Sequence, residues 1–172
     1  IKSNEFLKEL SFCRNDTKSY LRKLLPRKKN EILYDAINYA IFSGGKRFRA
    51  FLVIQAAKLF EIPKIRALQA ASAIETTHTY SLVHDDLPSM DNDDIRRGKP
   101  TVHIKWDEAT AVLVGDALQA FAYQILSDKK THPKSEVRLN LIKTLSEASG
   151  HNGMVLGPVS YTHLRAHETT LD

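Results

Sequence analysis

Only one cysteine, Cys13, and one tryptophan occur in the 172-residue sequence. A lone thiol cannot close an internal disulfide and offers no cysteine spacing for a metal, which fits a reducing, cytoplasmic setting. No apolar run approaches the roughly 20 residues of a membrane-spanning helix, so no membrane span is expected. The charged start and short apolar stretch of a secretory signal are missing as well. No segment of any length alternates with period two, which leaves little room for a sheet. Long basic blocks are absent: the largest holds three residues, Arg27-Lys28-Lys29. The net charge of +5 and a pI near 9.3 would otherwise suggest nucleic acid. Because the basic clusters flank acidic and Gly-rich segments, they suit small anionic substrates better, and no nucleic-acid partner is expected.

What remains is helical periodicity. Ile32, Leu33, Ala36, Ile37, Ala40 and Ile41 recur at three- and four-residue spacing and form one apolar face, which Gly44-Gly45 brings to an end. Further helices are expected over 1–25, ending at Pro26; from Phe48 to Phe60; and from Ile65 toward Asp86. Asp107 reads as an N-cap with Glu108 in the first turn, opening a helix that carries Val112, Leu118, Phe121, Ile125 and Leu126. Ser135 reads as the cap of one more, with Val137, Leu141, Leu145 and Ala148 turned inward. The length suits one domain, and the fold class is all-α without internal repeats. From Pro158 onward the pattern is lost. Val159 to Thr169 resembles the conceptual translation of a sequencing-library adapter, so residues 1–157 are expected to form the domain and 158–172 a non-native tail.

The chemistry concentrates in a second feature. Asp85, Asp86, Asp91, Asp93 and Asp94 place five carboxylates within ten residues. Clustered carboxylates repel one another, and a hard divalent cation relieves them best. His78, Ser81 and Asp85 share a helical face. Asp85 and Asp91 are six apart, about 240° on a regular helix of 3.6 residues per turn, so they can meet only if the helix breaks. Pro88 is placed to break it, and a distortion over Leu87–Met90 is expected. A plain acidic loop is the bland alternative. Arg96 and Arg97 follow, with guanidinium forks suited to phosphate, or to ion pairs with Asp93 and Asp94. Upstream, Gly44-Gly45-Lys46-Arg47-Phe48-Arg49 sets three cations where a helix begins. Cations there oppose the macrodipole, so a phosphate is expected nearby.

In this order, Gly44-Gly45-Lys46-Arg47-Phe48-Arg49, His78, Asp85-Asp86 with Asp91, Arg96-Arg97-Gly98-Lys99-Pro100-Thr101 and Gly115-Asp116-Ala117-Leu118 resemble the trans-isoprenyl diphosphate synthases, nearest to bacterial farnesyl-forming members. The resemblance covers residues 1–157. It implies an isoprenoid-synthase-type helical bundle, of which this chain is the N-terminal part. It implies a Mg²⁺-dependent prenyltransferase that joins an allylic diphosphate (dimethylallyl or geranyl) to isopentenyl diphosphate by ionisation, condensation and elimination. Lys46, Arg49, His78 and Arg97 would bind the isopentenyl diphosphate and Arg96 the allylic one. Asp85 and Asp91 would ligate Mg²⁺ with Asp86 in support, so that Asp85, Asp86, Asp91 and Arg96 form the catalytic set. Tyr80 and Ser81 would floor the elongation pocket, the bulky Tyr80 favouring farnesyl over geranylgeranyl diphosphate. A homodimer is implied too. A non-catalytic subunit of a heteromeric prenyl synthase and a terpene cyclase are the rivals, and intact aspartates and the isopentenyl cluster speak against each in turn. The family's second aspartate-rich motif is not found in these residues, and Pro158 follows Gly153-Met154-Val155-Leu156-Gly157 where Gln is usual. The chain alone is therefore expected to be inactive and marginally folded.

Overall fold

The computed structural model describes residues 2–25 and 31–158. Its helices are α1 (Lys2–Leu24), α2 (Ile32–Phe42), α3 (Phe48–Leu59), α4 (Lys64–Asp85), α5 (Val102–Lys105), α6 (Glu108–Ser127) and α7 (Ser135–Ser149), with a hairpin of β1 (Ile95–Arg96) and β2 (Lys99–Pro100) between α4 and α5. The all-α expectation holds. The tail expected over 158–172 lies outside the described residues except for Pro158.

α4 is the axis of the bundle. Twelve of its 22 residues are buried, too many for one amphipathic stripe, because neighbours surround it. Cys13 of α1 and Phe51 and Ile54 of α3 share a cluster with its Leu68 and Ala71. Its Ala73 packs with Ala122, Ile125 and Leu126 of α6. Small residues on α4 (Ala67, Ala71, Ser72, Ala73) permit this crowding. α1 joins through Cys13, Thr17, Leu21 and Leu25, all buried and spaced by four, which puts them on one face.

α6 is long and apolar enough to span a membrane by length and composition alone. Its Val114, Gly115, Leu118, Ala122 and Ile125 are buried on the face that meets the rest of the bundle, while Val112 and Leu113 are exposed. Asp107 caps it as expected, accepting the Thr110 N–H at 2.6 Å. Gly115 explains how closely α4 approaches: a Cβ there would lie 1.9 Å from His84 Nε2, an atom that itself sits 3.1 Å from the Val112 carbonyl. Gly115→Ala should destabilise the chain by about 1–3 kcal/mol through overpacking, read by urea denaturation.

Three local expectations need correction. Lys134, not Ser135, holds the cap position of α7 and makes no side-chain cap bond. Ser149 is buried on α7 and Ala148 is exposed, because Ser149 donates to the Leu145 carbonyl and meets Tyr123 Oη. Ile32, placed on the α2 apolar face, is 64% exposed at the helix start, where no described element covers it.

Candidate active site

α4 stops at Asp85, and the chain folds back on itself over the next six residues, with Pro88 inside the reversal. The Asp91 N–H donates to the Asp85 carbonyl at 2.8 Å, the Asn92 N–H to Leu87 and the Asp93 N–H to Asp86. Asn92 adopts the left-handed conformation, φ 54°, that completes the turn. The break expected at Leu87–Met90 is thus a helix terminus, and it brings Asp85 and Asp91 together. Burial pushes the Asp85 carboxyl above the ordinary range, and the Asp91 charge pushes it further. Among the described residues no three His, Cys, Asp or Glu side chains converge as a metal site. Two repelling hard-oxygen carboxylates fit Mg²⁺, which is commonly held by one or two carboxylates with substrate phosphates completing its shell.

Asp86 points elsewhere. Its buried carboxylate takes Arg96 Nε on both oxygens, at 2.7 and 3.0 Å, while Arg96 Nη2 reaches Asp86 at 2.5 Å and Asp93 at 3.4 Å. Burial raises Asp86, and Arg96 pulls it part of the way back. The ion-pair reading of Arg96 is therefore correct for Asp93. Asp94 contributes its carbonyl, accepting from the Thr101 N–H.

The hairpin that presents the arginines pairs Ile95 with Pro100 and Arg96 with Lys99. Its two turn residues, Arg97 and Gly98, both have positive φ, as a two-residue turn matching strand twist requires. Tyr39 of α2 donates to the Pro100 carbonyl at 2.7 Å and carries Lys105 Nζ 3.9 Å above its ring, tying hairpin, α2 and α5 together.

Arg97 crosses to the α2–α3 link and donates to the Gly44 carbonyl at 2.5 Å. A side chain at position 45 would strike this guanidinium, since its Cβ would lie 2.7 Å from Arg97 Nη1. Glycine at 44 and 45 therefore serves both the positive φ of 114° and 112° and the approach of Arg97. Arg49 Nη1 lies 3.4 Å from His78 Nε2, and Lys46 is exposed on the same link.

The macrodipole argument fails for Arg47. That residue is buried at 7% exposure and pairs with Glu75 at 3.0 Å. The other Glu75 oxygen accepts the Ala50 N–H at 3.0 Å, so a carboxylate of the chain itself already occupies the start of α3. Sequence reasoning missed Glu75, Tyr39 and the hairpin. A lone Glu in a helix and a four-residue ribbon carry no periodic signal.

Burial, then Arg49, then the weaker pull of Arg97 and Arg47 lower His78 from 6.5 to about 4, against Glu75, which raises it. The unfolded chain therefore takes up a proton as pH falls through 6.5 while the folded chain resists until about 4, so His78 makes stability decline over that window. His78→Gln should flatten the pH dependence of the denaturation midpoint between those limits. An unchanged slope would contradict this.

Tyr80 is buried at 5% exposure beside His84, ring centroids 5.9 Å apart. Burial raises its hydroxyl, with the Gln119 side chain close enough to oppose part of the shift. Ser81 turns back to the His78 carbonyl at 3.0 Å.

The polyprenyl synthetase family model matches residues 30–159. The farnesyl diphosphate synthase of Haemophilus influenzae is 50% identical over 128 residues, 74% of this chain and 43% of that protein. The geranylgeranyl diphosphate synthase of Cyanophora paradoxa is 39% identical over 139 residues, 81% of this chain and 46% of that protein. The crystal structure of an FPP/GFPP synthase from Zymomonas mobilis superposes with a TM-score of 0.85 at 47% identity, covering 89% of this chain and 56% of that one. The chain thus spans somewhat less than half the length of these curated relatives.

Proposed function

The chain belongs to the polyprenyl synthetase family, and from that premise we propose that it carries the two diphosphate-binding clusters of a trans-prenyltransferase that makes farnesyl diphosphate from an allylic diphosphate and isopentenyl diphosphate. The observation that carries the reading is the division of charge along α4. At His78 stands a cationic cluster with Arg49 and Arg97, and at Asp85 a carboxylate pair with Asp91. Seven residues separate them, one face and about 10 Å at 1.5 Å per residue.

Lys46, Arg49 and Arg97 bind the diphosphate of isopentenyl diphosphate, with His78 neutral at physiological pH and able to donate or accept. Asp85 and Asp91 would hold the Mg²⁺ that serves the allylic diphosphate, and Asp86 supports by fixing Arg96. Arg96 keeps its charge through Asp86, and its Nη1, engaged by neither carboxylate, is available to the leaving group. Bound Mg²⁺ supplies charge neutralisation of the departing diphosphate. Scission of the allylic C–O bond leaves a carbocation. The double bond of isopentenyl diphosphate attacks it, and proton loss restores the double bond. The chain's residues orient two anions, and no protein nucleophile is used.

A cytoplasmic enzyme acting as a homodimer follows from the same reading. With one carboxylate pair among its described residues, the 172-residue chain by itself binds diphosphates without turning them over.

Tyr80, buried on α4 beside His84 and five residues before Asp85, is the residue that sets product length in this reading. The test is a chimera in which residues 30–157 replace the matched segment of the Haemophilus influenzae enzyme. It should make farnesyl diphosphate only with Mg²⁺, and Tyr80→Ala should shift the product to geranylgeranyl diphosphate or longer. An unaltered product spectrum would refute the role of Tyr80, and a folded but inactive chimera the assignment as a whole.

A further inference from the structure

The Glu75 carboxylate sits where three segments cross. From the middle of α4 it holds Arg47 Nη1 with one oxygen and the Ala50 N–H with the other, each at 3.0 Å. Arg47 sends its Nη2 to the Ile41 carbonyl near the end of α2. One carboxylate therefore ties together the end of α2, the left-handed link at Arg47 (φ 53°) and the first turn of α3. The side chains of the pair are 5% and 3% exposed. An apolar pair would fill such a crossing with less desolvation, so its stability alone does not account for the choice of two charges. Lys46 precedes Arg47, and Arg49 follows two positions later, within reach of His78 at 3.4 Å. The direction in which the link presents both cations follows from where Arg47 is pinned.

We propose that Glu75 is the positioning residue of the cationic cluster, fixing through Arg47 and Ala50 where Lys46 and Arg49 stand against His78 and Arg97. This rests on reading that cluster as a diphosphate site, and the reaction scheme itself uses neither Glu75 nor Arg47.

The test uses the whole 172-residue chain in two variants, Glu75→Gln and the double variant Arg47→Met with Glu75→Leu, each checked for folding by circular dichroism. Inorganic pyrophosphate affinity is measured by calorimetry, and the His78 titration by NMR without ligand. The double variant should lose at least tenfold in affinity, on the order of 1.4 kcal/mol, with Glu75→Gln between it and the native chain. His78 should rise from about 4 toward 6.5 in both variants as Arg49 leaves its ring. Loss of the Glu75 charge without movement would instead lower His78 in Glu75→Gln, because that charge raises it. Affinities within twofold of native, or a His78 value that falls in Glu75→Gln or stays put in the double variant, would overturn the proposal. A native chain that takes up no pyrophosphate would overturn the diphosphate reading, while the His78 titration would still decide the positioning claim.

Discussion

Replacing Asp85 with asparagine should abolish the Mg²⁺-dependent binding of geranyl diphosphate, weakening it by about 100-fold or more, and should at the same time raise the melting temperature of the ligand-free chain. Both effects have one cause. Burial and the neighbouring Asp91 charge lift the Asp85 carboxyl above its ordinary value, so the fold binds that proton more tightly than the unfolded chain does. Ionisation of Asp85 therefore costs stability, and the cost is present in full once pH exceeds the raised value. Asparagine keeps the shape and removes the repulsion, but it also removes a charged metal ligand. Changes in groups that merely support a metal ligand already cost about 10–100-fold in metal affinity, so loss of the ligand itself should reach at least the upper figure. Calorimetry with and without Mg²⁺ and a thermal melt check the two halves. A variant that binds normally, or melts lower than the native chain, would contradict the assignment.

The second large effect concerns the fold. Glu75→Ala leaves the Arg47 guanidinium, 5% exposed, without a counter-charge and frees the Ala50 N–H at the start of α3. Breaking one side of a buried pair costs about 3–5 kcal/mol, much of the roughly 5–15 kcal/mol that holds a whole domain. The urea midpoint should fall accordingly, and native-like helicity should be lost first where α3 meets α4. Arg47→Met with Glu75→Leu should recover most of the loss, since replacing both charges by apolar groups of similar size is often neutral or favourable. A single-variant loss below about 1 kcal/mol, the size of an ordinary hydrogen bond, would mean that the pair is solvated.

Much of this was legible beforehand, and the particular failures are instructive. The helix ending at Asp85 follows from Pro88 and from the need to bring two carboxylates six residues apart to one place. The α6 cap follows from Asp107. The close fit at Gly44-Gly45 follows from glycine itself, although its partner, the Arg97 guanidinium, comes from the hairpin more than fifty residues away. What sequence could not separate were the three cations of Lys46-Arg47-Phe48-Arg49. Lys46 and Arg49 stay at the surface while Arg47 goes inside, because Arg47 takes a left-handed conformation and meets Glu75 across a separation of 28 residues. Local pattern carries no trace of such a contact. Ser149 and Ala148 exchanged places for a similar reason, since the Ser149 hydroxyl satisfies itself on Leu145 and can be buried. The double role of Arg96 was visible only as a choice between phosphate and carboxylate. The structure pairs it with Asp86 and Asp93, and its contact with a phosphate is what we propose.

The central claim is that α4 separates a metal-independent diphosphate cluster at His78 from a metal-dependent one at Asp85. Calorimetric stoichiometry of inorganic pyrophosphate binding tests it most directly. In EDTA the native chain should bind one equivalent, lost on Lys46→Ala with Arg49→Ala; with excess Mg²⁺ a second should appear, lost on Asp85→Asn. The same stoichiometry with and without the metal, or a second equivalent that survives Asp85→Asn, would contradict the account.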